Sequence, residues 1–164
     1  PTGIFKFPVT QPIFLGTKGV MGDEISDKEY HGGFLQAVYG YSLKQYDFFK
    51  PLYPNLEWQF GMFGENLTID HLDETKIHQG DVFKVGETIL EASVQRDPCM
   101  KLGLRFNDMK IVKQFWNTPF CGVYFKVVQT GFVKSGDEFI QLERCPENPT
   151  IADLYNAKKI SKGR

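Results

Sequence analysis

Apolar and polar residues alternate with a period of two over much of the second half of the chain, the mark of half-buried strands. Val82-Phe83-Lys84-Val85 and the run Thr88-Ile89-Leu90-Glu91-Ala92-Ser93-Val94 flank a Gly86-Glu87 turn and predict a hairpin, with a shorter strand at residues 66–69 ahead of them. A second β block covers residues 122–128, passes Thr130-Gly131 and continues through Phe132-Val133 into residues 138–142. Near the start, residues 4–9 and Ile13-Phe14-Leu15 read as two extended pieces, broken by Pro8, Pro12, Gly16 and Gly19. Residues 22–36 lack usable periodicity and predict a long loop.

Helices are fewer. Ser42 with Gln45 reads as a capping box ahead of Leu43, Tyr46, Phe49 and Leu52, with Pro51 as the stop. Asn107 is the expected N-cap for a helix carrying Met109, Ile111, Val112, Phe115 and Trp116 and ended by Thr118-Pro119. Thr150 with Asp153 forms another capping box, opening a helix of Leu154, Tyr155 and Ala157 that runs into Lys158-Lys159 and has little chain left in which to find a partner. A Gly-Asp-x-Phe pattern occurs twice, from Gly80 and from Gly136. It fits two related edges of a small barrel built from meanders, with each Gly at positive φ and each Asp bonding turn amides.

Composition sharpens this picture. Fifteen Phe, seven Tyr and two Trp among 164 residues, with 16 Gly and 9 Pro, suit short strands, tight turns and large core side chains. Nineteen basic against twenty acidic residues leave a net charge of −1, so no broad field steers a nucleic acid. No stretch reaches the length of a membrane span and the first residues lack a signal peptide's pattern, so a soluble cytoplasmic chain is expected. Three cysteines cannot all pair, which excludes a disulfide framework and suits a reducing compartment. The histidines show no zinc spacing, and no phosphate loop, dinucleotide fingerprint or nucleophile elbow occurs.

Three places carry candidate chemistry. Pro98 suits the first position of a short helix, which puts Cys99 in its first turn beside Arg96 and Lys101, surroundings that favour a thiolate. The plain alternative is a buried small thiol with Arg96 solvated, the reading that also suits Cys121 and Cys145. His31-Gly32-Gly33 offers a tunable imidazole beside glycines that let a ligand approach; otherwise it is a loop turn with the ring bonded to backbone. Asn66 and Thr68, in Phe63-Gly64-Glu65-Asn66-Leu67-Thr68, stand where a loop enters a strand, and the Asn66 amide offers both donor and acceptor; a glycine turn that starts a strand explains them equally.

Taken in order, these pieces resemble the MOSC family, named for the C-terminal domain of molybdenum cofactor sulfurase, and in particular its free-standing bacterial group related to hydroxylaminopurine-resistance proteins. The likeness runs over residues 2–144. It is carried by residues 2–9, Gly22-Asp23, His31-Gly32-Gly33 with Gln36-Ala37-Val38-Tyr39, residues 63–68, Ile77 with Gly80-Asp81, Arg96-Asp97-Pro98-Cys99-Met100-Lys101-Leu102, and Gly122-Val123-Tyr124 through Gly131 to Gly136-Asp137. The resemblance implies a mainly β fold, a small closed or partly open β-barrel with a few short helices, at residues 1–146. Residues 147–164 would begin a C-terminal helical extension, expected to be incomplete because the chain starts inside the family's first motif and stops within that helix. It also implies the molybdenum cofactor (molybdopterin) and not pyridoxal phosphate, with Cys99 as the molybdenum ligand, Lys6 and Arg96 toward the phosphate and pterin side, Asn66 and Thr68 along the pocket, and His31 at substrate or as proton source. A soft thiolate suits a thiophilic metal and an anionic cofactor wants nearby cations.

The activity implied is reduction of N-hydroxylated compounds, base analogues among them, a detoxification fed by an external electron-donor reductase. The alternative is a sulfur carrier or cofactor-handling module cycling a Cys99 persulfide. One departure stands out: the family stretch before the cysteine reads Gln-Pro-Arg, whereas here it is Val94-Gln95-Arg96.

Overall fold

The computed structural model describes residues 3–21 and 33–164. Its centre is a curled, six-stranded half-barrel made of β3 (Val38–Ser42), β4 (Leu67–Ile69), β5 (Val82–Val85), β6 (Thr88–Gln95), β7 (Val123–Gln129) and β9 (Phe139–Glu143), in the order β4-β3-β7-β6-β5-β9. A smaller sheet joins β1 (Ile13–Gly16) to β2 (Gly19–Val20) and to β8 (Gly131–Val133). The β5–β6 hairpin turns at Gly86-Glu87, pairing Val85 with Thr88, as the alternation predicts. β3 pairs in parallel with β4 and antiparallel with β7, and all five of its residues are buried. Gly40 lies at the crossing, where an added Cβ would stand 2.9 Å from the Phe125 ring.

The Gly-Asp repeat is a matched pair. Gly80 and Gly136 both take positive φ, and the strands that follow them, β5 and β9, pair with each other. The two aspartates differ in depth. Asp81 is fully buried and accepts from the His78 and Cys145 amides and from Gln141 Nε2 at 3.0, 2.7 and 3.0 Å, whereas Asp137 accepts only the Lys134 amide near the surface. Asp81→Ala leaves three donors without an acceptor and is expected to lower the unfolding free energy by about 3 kcal/mol in urea denaturation. Asp137→Ala serves as the mild comparison.

Short helices cover the sheet: α1 (Tyr46–Phe49), α2 (Met100–Phe106), α3 (Lys110–Trp116) and α4 (Ile151–Ser161). The aromatic residues concentrate beneath them. Tyr41, Tyr46, Phe49, Phe63, Phe106 and Phe115 are all buried, and Tyr41 stacks on Phe63 at 4.3 Å between centroids. The Thr150–Asp153 capping box forms in full, and α4 finds its partner in the domain itself: Tyr155 stacks on Trp116 at 5.0 Å and donates to the Phe115 carbonyl.

Four local expectations are corrected. Residues 4–9 form no ladder; they run as a strap whose Lys6 carbonyl lies against Gly61, and Pro8 removes an amide donor from it. The segment Phe34–Gln36, expected as loop, is a 3₁₀ turn, while residues 22–32 lie outside those described. Ser42 makes no cap: it belongs to β3, its hydroxyl accepts the Leu72 amide, and the segment after it breaks into 3₁₀ turns at Leu43–Gln45 and Lys50–Leu52 around α1. Asn107 is not an N-cap either. It closes α2 in the left-handed conformation, at φ 51°, and the amide of Lys110 at the head of α3 bonds to Asp108 instead.

Candidate functional site

The longest strand, β6, ends at Gln95, and the chain turns through Arg96-Asp97-Pro98 to Cys99, the N-cap of α2. Cys99 therefore stands one residue before the expected first turn, in extended conformation, because the Pro98 ring belongs to the turn and the helical dihedrals begin at Met100. Its thiol is free and half-buried.

Arg96 is 6 % exposed. Its guanidinium lies over the Tyr39 ring at 4.9 Å and the Phe115 ring at 5.6 Å, and Nη1 donates to the Phe63 carbonyl. It is a buried cation held by two aromatic faces and a carbonyl, within electrostatic reach of Cys99 and Tyr124. Burial pushes the Tyr124 hydroxyl above its ordinary range, with Arg96 acting against the shift. Tyr39 is likewise pushed up by burial, and its hydroxyl donates to the Cys121 carbonyl at 2.6 Å.

The loop that receives Arg96 is built by Glu65. This buried carboxylate accepts from the Gly61 amide at 3.1 Å, the Phe63 amide at 3.0 Å, the Thr68 hydroxyl at 2.9 Å and the Tyr46 hydroxyl. Burial and the adjacent carboxylate push Tyr46 well up, so its proton stays on the phenol. Thr68 is thus a donor within the scaffold. Asn66 bridges the strands, its Oδ1 accepting the Tyr39 amide at 2.8 Å while its own amide donates to the Tyr39 carbonyl.

Asn66 and Thr68 also line a cleft of about 690 Å³ that passes along the open edge of β4 and faces Phe7, Lys134 and Phe139. Cys99, Arg96 and Lys6 do not line it. The chain thus brings Cys99 to Arg96 and ties Arg96 through the 61–65 loop to Asn66 and Thr68. Lys6 lies on the strap, its Nζ donating to the Gly3 carbonyl at 2.6 Å. His31 lies outside the described residues; the segment after it is anchored to the same sheet by the Ser93 hydroxyl, which donates to the Leu35 carbonyl.

Tyr39, Tyr124, Glu65 and Arg105 were not singled out from the sequence. Arg105, on α2, sits between the Phe5 and Phe7 rings at 5.3 and 5.2 Å and donates to the Lys6 carbonyl, with its Nε buried and unpartnered among the described residues. The only signal pointing to Glu65 was its place inside the quoted motif. Cys121 is buried and pushed up by that burial, which makes it a core thiol.

A sheet curled into a half-barrel and covered by short helices is the arrangement of a known class. Residues 27–140 match the MOSC domain, and the chain belongs to that family. It is 33 % identical over 155 residues to the protein YiiM of Escherichia coli (strain K12), spanning 93 % of this chain and 69 % of that one. The crystal structure of YiiM from Geobacillus stearothermophilus superposes with a TM-score of 0.82 at 26 % identity, covering 99 % of this chain and 76 % of that chain. A protein of Gibberella moniliformis (strain M3125 / FGSC 7600) named reductase is 33 % identical over 147 residues; the match spans 87 % of this chain and 26 % of the reductase. Among the described residues no helix is long and apolar enough to cross a membrane.

Proposed function

We propose that this protein binds the molybdenum cofactor through Cys99 and reduces N-hydroxylated compounds. The observation that carries the reading is the free, half-buried Cys99 thiol at the N-cap of α2, with the buried Arg96 cation within electrostatic reach. The donor set suits the cofactor. Among the described residues no group of three or more His, Cys, Asp or Glu side chains is placed to hold a metal. A metal already chelated by the dithiolene of a pterin needs only one soft protein ligand, and Cys99 is that ligand. When bound, the cofactor supplies a centre that takes an oxygen atom and two electrons' worth of redox change.

The chain's own residues supply the rest. Cys99 gives the sulfur ligand, and Arg96 adds a positive charge that suits an anionic ligand. Asn66 and Thr68 fix the wall of the cleft, and Lys6 places a cation on the strap. Each N–O bond cleaved takes up two electrons and two protons and releases water; the protons come from solvent or from His31. The fungal relative named reductase is in keeping with such chemistry.

Protein produced in a host that makes the cofactor is expected to carry molybdenum and pterin in equal amounts, and Cys99→Ala is expected to lose the molybdenum. Wild-type protein without molybdenum overturns the reading, and metal retained in the variant overturns the role of Cys99. A persulfide on Cys99 in the intact mass, without molybdenum, would instead favour sulfur carriage.

A further inference from the structure

β7 is an interior strand of the half-barrel, held by β3 on one side and β6 on the other, and its Tyr124 lies opposite both Tyr39 and Val94. Val123, Phe125 and Val127 are buried on the other face of the strand. The β6 ladder shifts register between Ala92 and Val94, and the Ser93 hydroxyl in that bulge lies 3.1 Å from the Tyr124 carbonyl. Bulges of this kind re-aim side chains beside functional sites. The chain leaves β6 just past Val94 as the Arg96-Asp97-Pro98-Cys99 turn, so Tyr124 stands across from the root of that turn.

Most polar side chains around Cys99 are already spent on the protein. Arg96 is held by Tyr39, Phe115 and the Phe63 carbonyl, and the Tyr39 hydroxyl donates to the Cys121 carbonyl. Gln95 Nε2 donates to Asp97 at 3.2 Å, and Asp97 faces Lys162 at 3.7 Å. The Tyr124 hydroxyl is different. It has no hydrogen-bond partner among the described residues, although its ring packs on Tyr39 at 5.0 Å between centroids and the phenol is within electrostatic reach of Arg96, Cys99 and Asp97. Burial keeps the proton on this phenol, so it is an uncharged donor at neutral pH.

We propose that the Tyr124 hydroxyl, mounted on β7 beside the Cys99 turn, donates a hydrogen bond to the N-hydroxyl oxygen of the substrate and so orients its N–O bond. This assignment rests on the reductive reading and adds to it a residue that touches the substrate oxygen. A ligand without that oxygen leaves the phenol unpaired, which is how a polar pocket discriminates between otherwise similar molecules.

N-hydroxyadenine and adenine, titrated by calorimetry into holoprotein without reductant, read binding apart from turnover. Wild type is expected to prefer N-hydroxyadenine. Tyr124→Phe, with molybdenum content and Tm unchanged, is expected to bind N-hydroxyadenine about tenfold more weakly and adenine within about twofold of wild type. With dithionite-reduced viologen as electron source, the variant is expected to raise KM for N-hydroxyadenine by a similar factor. Equal weakening of both ligands, weakening of neither, or loss of molybdenum from the variant overturns the role of Tyr124. Wild-type holoprotein that binds N-hydroxyadenine but does not reduce it overturns the reductive reading itself, while the calorimetric comparison still decides the hydrogen bond.

Discussion

Glu65→Ala is expected to lower the unfolding free energy by about 4 kcal/mol, which for a chain of this length is a fall of roughly 10–15 °C in Tm. Four donors converge on that carboxylate: the Gly61 and Phe63 amides, the Thr68 hydroxyl and the Tyr46 phenol. Alanine leaves the Phe63 amide and the Tyr46 phenol buried without an acceptor, each at about 1–3 kcal/mol before relaxation, while the Gly61 amide keeps only the Tyr46 hydroxyl oxygen. The damage extends to the site, because the Phe63 carbonyl that holds Arg96 belongs to the same loop. Glu65→Gln retains one acceptor oxygen and is expected to lose about half as much. Differential scanning calorimetry checks both. A change under 1 kcal/mol for alanine would mean that the loop is held by its aromatic packing alone.

The second large effect concerns pH. Glu74 is 2 % exposed, Oε1 has no hydrogen-bond partner among the described residues, and burial, followed by the neighbouring Asp73, pushes its carboxyl up to about 8 from an ordinary 4.5. The groups facing it across the junction are Tyr41 from β3, Cys121 ahead of β7 and Tyr155 from α4, none of them a cation. A raised carboxyl holds its proton in the folded state while the unfolded chain releases it. The folded state therefore keeps its full stability below about pH 4.5 and loses roughly 1.4 kcal/mol per pH unit as pH rises toward 8, above which the loss levels off. The total is about 5 kcal/mol. Glu74→Gln removes this term, so its stability in urea is expected to exceed wild type by about 4–5 kcal/mol at pH 8.5 and to match it near pH 4. Parallel curves across that range would show that Glu74 is charged in the fold.

How much of this was legible in the sequence varies with the range of the interaction. The β5–β6 hairpin, the α4 capping box and the paired Gly-Asp edges are local, and the residues that specify them lie within a few positions of one another. Ser42 and Asn107 were misread because the same short polar side chains serve strands, left-handed caps and helix starts, and neighbours far along the chain decide which. Ser42 is claimed by β3 and by the distant Leu72 amide, and Asn107 by the close packing of α3 on α2. Residues 4–9 have a strand's composition, but Pro8 interrupts their amides and the segment forms no ladder. At the site, Cys99, Arg96, Asn66 and Thr68 stood in quoted motifs, yet the buried position of Arg96 between Tyr39 and Phe115 depends on residues 57 positions before it and 19 after it. Glu65 looked like one acid among twenty until its four donors converged.

The register of β3 bears on how the chain comes together over time. Val38 lies opposite Phe125, so the fully buried strand next to the sheet's β4 edge meets its antiparallel partner only after a further 80 or so residues have been synthesised. Its other partner, β4, is a three-residue edge strand that cannot shelter it alone. The β5–β6 hairpin needs no such wait and is the natural seed on which β7 adds and then captures β3. Until that capture, Val38, Tyr39 and Tyr41 travel on the nascent chain as an exposed sticky segment, which makes the stretch around β3 the part most dependent on chaperone protection.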